Sequence, residues 1–136
     1  MPSLASRTRR VRRLLILALL PLLSGCVSSY FAALNRGAPP LPVSSLHFLP
    51  QQEVALDVFP GAGQGPRPTL VFFYGGRWQD GRRQDYAFVG EQLAAAGITT
   101  VVADYRLYPE VRFPTFVEDA AAAVAWARRN ATRING

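Results

Sequence analysis

The chain has 136 residues, with 15 basic and 9 acidic side chains and a formal net charge of +6. Five basic residues fall within the first thirteen positions, and from Cys26 onward ten arginines stand against nine acids. A nucleic-acid-binding surface needs basic side chains clustered on the folded part of a chain, so this distribution argues against nucleic acid as a partner.

The first 25 residues have the pattern of a secretory signal peptide. Arginines between positions 7 and 13 precede an apolar run over 14–23, which is too short for a bilayer that requires about 20 residues. A basic start, a short apolar core and small residues before a cleavage point are typical of such a signal. The sequence Leu-Ser-Gly-Cys at 23–26 resembles the lipobox of bacterial lipoproteins, in which the cysteine is lipidated after cleavage.

This resemblance implies a membrane anchor at Cys26, since two or three acyl chains hold a protein stably at a bilayer. A plain signal peptide with a chance cysteine is the alternative. Val27 favours the outer membrane, facing the periplasm, in a Gram-negative cell envelope. We therefore expect a signal peptide at 1–25, a lipidated tether rich in Pro, Gly and Ser at 26–45, and a folded domain at 46–136.

The folded part alternates strands and helices. Residues 53–59 alternate apolar and polar side chains, which predicts a strand with one wet face, whereas 69–74 is apolar throughout and predicts a strand buried on both faces. A helix follows over 85–96, ended by Gly97, then a β-branched strand over 98–103 and a helix opened by Pro114. His47 is expected on the surface of a first short strand. The order predicts an α/β fold with a mostly parallel sheet and flanking helices.

Three linked motifs carry a family resemblance, and the third consists of Phe113-Pro114, Glu118-Asp119 and Ala125-Trp126, which follow the other two at the family's spacing. Residues 72–78, Phe-Phe-Tyr-Gly-Gly-Arg-Trp, resemble the His-Gly-Gly-x-Trp loop of α/β-hydrolase esterases. Residues 104–110, Asp-Tyr-Arg-Leu-Tyr-Pro-Glu, are similar to a segment of the hormone-sensitive-lipase-like and feruloyl-esterase-like members of that superfamily. The resemblance covers residues 50 to 136 and implies the N-terminal portion of an α/β-hydrolase fold.

The resemblance also implies a role for the glycine-containing loop. Acyl transfer places negative charge on the former carbonyl oxygen, which fixed backbone N–H groups stabilise without reorganising. By motif position the donors of this oxyanion hole are the amides of Gly76 and Arg77, joined by the amide just after the nucleophile, with Tyr74, Gly75 and Trp78 supporting the loop. Tyr74 stands where the family has a histidine that braces the loop. No cofactor and no metal ion are implied.

The segment over 104–110 is expected to be scaffold rather than catalytic. Arg106 leaves a buried strand, and an unpaired buried charge is costly. We therefore expect it to pair with Asp104 or Glu118.

The family's nucleophilic serine follows later in the chain, then an acid and a histidine. Every serine here lies at or before Ser45, and His47 is the only histidine, so no catalytic residue is assigned. We expect an N-terminal fragment of a membrane-anchored serine carboxylesterase, truncated before its nucleophile strand and inactive alone, which acts on a small-molecule ester in the full-length protein. The alternative is a non-catalytic lipoprotein that uses the half-domain for binding. Truncation would leave the strand over 69–74 as a bare edge.

Overall fold

The computed structural model describes residues 27–37 and 44–136. The predicted signal peptide and Cys26 lie outside the described residues. The chain divides into two units, one ending at Leu34 and the other running from Asn35 to Gly136. In the first, residues 27–34 are helical (α1). Among the described residues, no helix has both the length and the apolar character needed to cross a membrane.

The second unit contains four strands and two α-helices. The strands are β1 (Ser44–Leu49), β2 (Val54–Phe59), β3 (Thr69–Phe73) and β4 (Thr99–Ala103), and the helices are α2 (Ala87–Ala95) and α3 (Thr115–Arg129). Short 3₁₀ turns occupy Asn35–Gly37, Pro50–Gln52, Arg83–Tyr86 and Ala131–Ile134. The predicted helices and strands are therefore present, with boundaries shifted by one or two residues at most ends. Gly97 has a φ of +85°, as expected of the residue that ends a helix.

The strands form one sheet in the order β1-β2-β4-β3. The β3–β4 pair is parallel, while β1–β2 and β2–β4 are antiparallel. The helices cover opposite faces: Ala123 and Ala127 of α3 pack on one apolar cluster of the sheet, and Ala94 of α2 packs on the other. The α/β fold class is thus confirmed, although in this part of the sheet only one of the pairings is parallel.

The prediction of a wet face on β2 is wrong. All six residues of β2 are buried, because the strand lies between β1 and β4 under both helices. Its acidic residue Asp57 is 6% exposed. The carboxylate accepts hydrogen bonds from Arg83 and from the hydroxyl of Ser45, at 2.9 and 2.7 Å. The polar residue Asp57 in the alternating pattern therefore belongs to a buried ion pair with Arg83 and does not face solvent.

The prediction that β3 is buried on both faces is also wrong. Its first two residues are exposed and the other three half-buried, because β3 has a neighbour on one side only among the described strands. This matches the bare edge expected at this position. Unpaired N–H and C=O groups on an apolar edge strand promote pairing with other chains.

We therefore predict that this polypeptide alone is poorly soluble or partly molten, and that Leu70→Lys improves its solubility. Leu70 is 36% exposed on β3, where a lysine charge opposes strand pairing. Gln52→Lys is the control, since it adds the same charge at an exposed position outside the strands. Sedimentation of purified protein measures the effect. A soluble, monomeric unaltered chain, or equal improvement by both variants, would contradict the role of the edge.

Candidate active site

The glycine-containing loop lies at the carboxyl end of β3. Phe73 and Ala103 are partners at the last position of the parallel β3–β4 register. The loop over 74–78 and the segment over 104–110 therefore leave the same edge of the sheet side by side. In open α/β sheets this carboxyl edge is where ligands bind.

The loop backbone has an unusual conformation. Gly76 has a φ of +146°, and Arg77 and Trp78 have φ values of +55° and +63°. Two successive non-glycine residues in the left-handed region store strain of a kind that clusters at functional sites. The carbonyl of Gly76 accepts hydrogen bonds from the N–H groups of Gln79 and Asp80, at 3.0 and 3.2 Å. These bonds hold the peptide group between Gly76 and Arg77, which carries the Arg77 N–H.

The amides of Gly76 and Arg77 have no hydrogen-bond acceptor among the described residues. Both residues lie at or near the surface: Arg77 is exposed, and Gly76 is of intermediate exposure. The loop therefore carries two adjacent N–H groups that have no partner within the described residues. An oxyanion hole requires backbone N–H groups that are free to donate.

Tyr74 anchors the start of the loop. The residue is 4% exposed, and its hydroxyl donates to Asp104 Oδ1 at 3.1 Å. Its carbonyl accepts from the hydroxyl of Tyr105 at 2.7 Å, and the two rings stack with centroids 4.8 Å apart. Burial, with the Asp104 carboxylate beside it, raises the pKa of Tyr74 above its ordinary value. The phenol therefore remains a hydrogen-bond donor at any pH near neutrality.

Trp78 anchors the end of the loop. Its ring stacks on Phe116 with centroids 4.6 Å apart and meets Tyr105 edge-on at 5.0 Å. Its carbonyl accepts from the N–H of Tyr108 at 2.8 Å. The residue remains 41% exposed. The structure thus places Trp78 against α3 and the 104–110 segment, where it packs the loop.

The 104–110 segment supports the loop with backbone and side-chain contacts. Asp104 Oδ1 accepts from Tyr74 and from the backbone N–H of Arg83, while Oδ2 pairs with Arg83 Nη1. Both carboxylate oxygens therefore have partners within the fold, and these contacts join the segment to the loop and to Arg83.

The expected partners of Arg106 were wrong. Arg106 binds Asp119 on α3, and neither Asp104 nor Glu118 is its hydrogen-bonding partner. Asp119 accepts from the Arg106 backbone N–H, Nε and Nη2 at 3.0, 2.9 and 2.7 Å. Asp119 is 1% exposed, whereas Glu118 is exposed. Adjacent helical positions face different directions, and only Asp119 faces the sheet.

Arg83 is a residue that sequence reasoning missed. It begins the 3₁₀ turn before α2 and binds both Asp57 and Asp104. No motif marks it, because one partner lies on β2 and the other just after β4. The only local signal is a pair of arginines after Gly81, and Arg82 of that pair is a surface residue paired with Asp85.

The described residues contain no group of three His, Cys, Asp or Glu side chains that could hold a metal ion. His47 lies exposed on β1, as its position in the sequence predicts.

Comparison with known proteins gives a consistent result. The family model BD-FAE matches residues 56–136. The chain is 41% identical over 73 residues to the esterase LipC of Mycobacterium tuberculosis, an alignment that covers 52% of this chain and 18% of LipC. It is 38% identical over 66 residues to an arylesterase of Saccharolobus solfataricus, which covers 48% of this chain and 22% of that protein.

Solved structures show the same likeness. The carboxylesterase EstE1, cloned from a metagenomic library, superposes with a TM-score of 0.70 at 26% identity, over 85% of this chain and 40% of EstE1. A hyperthermophilic esterase of Pyrobaculum calidifontis superposes with a TM-score of 0.72 at 24% identity and shares the fold. The chain spans about a fifth of the length of the curated relatives and about two fifths of the solved ones.

Proposed function

The chain belongs to the BD-FAE family, and on that premise we propose that it supplies the oxyanion-binding part of the active site of a serine carboxylesterase. The predicted resemblance to α/β-hydrolase esterases is confirmed, because the relatives are esterases and carboxylic ester hydrolases. The observation that carries the proposal is the pair of acceptor-free amides, Gly76 and Arg77, at the carboxyl edge of the sheet.

In the proposed reaction a serine hydroxyl attacks the carbonyl carbon of an ester while a histidine accepts its proton. The carbonyl oxygen becomes an oxyanion, which the N–H groups of Gly76 and Arg77 stabilise. The tetrahedral intermediate then collapses, the alcohol leaves with a proton from the histidine, and water hydrolyses the acyl-enzyme by the same steps. Fixed donors of this kind contribute about 10²–10³ in rate each.

The serine of this mechanism comes from outside residues 46–136, which contain no serine. In this superfamily the acid and the histidine follow the serine in the chain, so His47 and the acids of this segment do not fill those roles. The test uses the extended polypeptide, which is the gene product that continues beyond codon 136 and includes a G-x-S-x-G motif. The proposal predicts that such a motif is encoded downstream in one of the three frames. It also predicts that the extended polypeptide hydrolyses p-nitrophenyl acetate and that the 136-residue chain does not.

The outcomes of this test separate the two functions considered. A downstream G-x-S-x-G and an active extended polypeptide support the esterase. A folded, abundant 136-residue chain in the cell envelope, with no such motif downstream, would instead support a non-catalytic binding module.

We also propose that the protein is a lipoprotein anchored to the membrane through Cys26, the only cysteine of the chain. Support comes from the Leu-Ser-Gly-Cys sequence after a basic and apolar leader. Such anchoring would hold the catalytic domain at the cell envelope.

The lipid anchor predicts that cells grown with radiolabelled palmitate incorporate label into the wild-type protein, which fractionates with membranes. Cys26→Ser should lose the label, because no other thiol can accept the lipid. Ser28→Ala, two residues away, should be labelled like the wild type. Wild-type protein without label would contradict the anchor.

A further inference from the structure

Four contacts lie around the start and end of the loop at 74–78. The hydroxyl of Tyr74 donates to Asp104, the hydroxyl of Tyr105 donates to the Tyr74 carbonyl, and the N–H of Tyr108 donates to the Trp78 carbonyl. The fourth contact does not touch the loop directly: Arg83 binds Asp104, which in turn accepts from Tyr74. The two free amides lie between these clamped ends.

The Arg83 side chain connects two carboxylates. It is 15% exposed, and its Nε donates to Asp57 Oδ1 at 2.9 Å while Nη1 binds Asp104 Oδ2. Its own backbone N–H donates to Asp104 Oδ1 at 3.1 Å. Asp57 lies on β2, an inner strand, so Arg83 connects Asp104 to the middle of the sheet. A planar guanidinium can serve both carboxylates at once, which a lysine ammonium does with less geometric control.

The packing around Tyr74 depends on the same turn. Gly81, two residues before Arg83, has a φ of +107°, and a Cβ there would lie 2.6 Å from the Tyr74 ring. The chain after the loop thus folds back over Tyr74 and brings Arg83 to the far side of Asp104.

From these contacts we infer that Arg83 is a positioning residue for the loop at 74–78: by fixing Asp104 it holds the hydroxyl of Tyr74 and so the direction of the Gly76 and Arg77 amides. Its catalytic meaning rests on the proposed function. The clamp itself is a property of the folded chain and needs no nucleophile.

Trp78 provides the readout, because it ends the loop and the chain has only one other tryptophan, Trp126. The parent for the test is the full chain with Trp126→Phe, so that emission comes from Trp78 alone, and with Leu70→Lys for solubility. Acrylamide quenching and anisotropy decay then measure the access and mobility of Trp78. Far-UV circular dichroism at the same temperature shows whether each variant is folded.

Arg83→Gln should raise the acrylamide quenching constant of Trp78 at least about two-fold and lower its residual anisotropy, as expected when a packed loop opens locally. Tyr74→Phe, which removes one hydroxyl, should act in the same direction. Arg83→Lys should raise the quenching constant less than Arg83→Gln does, because the lysine keeps the positive charge. Arg82→Gln is the matched control, because Arg82 is exposed and pairs only with Asp85 among the contacts described; its quenching constant should equal the parent's.

Parent-like quenching in folded Arg83→Gln would overturn the inference. If that variant does not fold, parent-like quenching in Tyr74→Phe would overturn it equally, and so would an equal response from Arg82→Gln. If Trp78 responds as expected but the extended polypeptide is inactive, the positioning role of Arg83 stands and the proposed esterase function is wrong. If the extended polypeptide is active but Trp78 does not respond, the esterase function stands and the positioning role is wrong.

Discussion

Replacing Gly76 by alanine should lower the hydrolysis of p-nitrophenyl acetate by the extended polypeptide at least about 100-fold, the loss expected when an oxyanion donor is misplaced. An alanine Cβ at this position would lie 1.9 Å from the carbonyl oxygen of Asp80. The φ of +146° is moreover a conformation that residues other than glycine rarely adopt. The turn that directs the two amides must therefore change.

Gly75→Ala is the matched control, since a Cβ at Gly75 meets no atom within 4 Å and its φ is not in the left-handed region. This variant should retain activity within a few-fold. The comparison is made on kcat, because the oxyanion forms only in the transition state and its intermediates. Equal losses in both variants, or full activity in Gly76→Ala, would contradict the assignment of the donors.

Replacing Asp119 by alanine should destabilise the fold by about 3–5 kcal/mol, the cost of breaking a buried ion pair by removing one partner. Asp119 accepts three hydrogen bonds from Arg106, and its side chain is 2% exposed against 24% for the arginine. This pair joins α3 to the segment after β4, so its loss loosens the support of the loop as well.

Urea unfolding of the chain in the Leu70→Lys background measures this effect. A loss of 3 kcal/mol corresponds to a fall in midpoint of at least about 1 M. Glu118→Gln, at the neighbouring exposed acid, should change the free energy of unfolding by no more than about 0.5 kcal/mol. A small effect of Asp119→Ala would show that the pair is not needed for folding.

The sequence was sufficient to predict β2, β3, β4, α2 and α3 and the position of the loop, but not the helix α1. Short apolar runs located β3 and β4, and apolar residues at helical spacing located α2 and α3. The motif at 72–78 placed the glycines after a strand, and the structure puts them at the carboxyl edge of the parallel pair. These are local properties, encoded within a few residues of each other.

What the sequence could not show depends on distant contacts. The alternation in β2 suggested water on one face, but Asp57 faces Arg83, which lies 26 residues away. Arg106 was paired with the wrong acids, since the choice between Glu118 and Asp119 depends on the rotation of α3. The apolar character of β3 suggested burial, whereas exposure is decided by which strand lies beside it.

The effect of Tyr74 on the geometry of the loop could not be predicted from the sequence either. Tyrosine in place of the family's histidine left the geometry of the loop open to question at the level of sequence. The structure gives Tyr74 a hydroxyl contact with Asp104 and a carbonyl contact with Tyr105. The left-handed conformations of Arg77 and Trp78 could not be predicted either, because neither residue type favours them.

The most direct test of the proposed role is a crystal structure of the extended polypeptide after reaction with a p-nitrophenyl phosphonate. The nucleophilic serine displaces p-nitrophenolate, and the phosphonyl oxygen of the adduct occupies the place of the oxyanion. We expect that oxygen at about 2.7–3.1 Å from the amide nitrogens of both Gly76 and Arg77. A phosphonyl oxygen bound by other groups, with these two amides turned to solvent, would contradict the account.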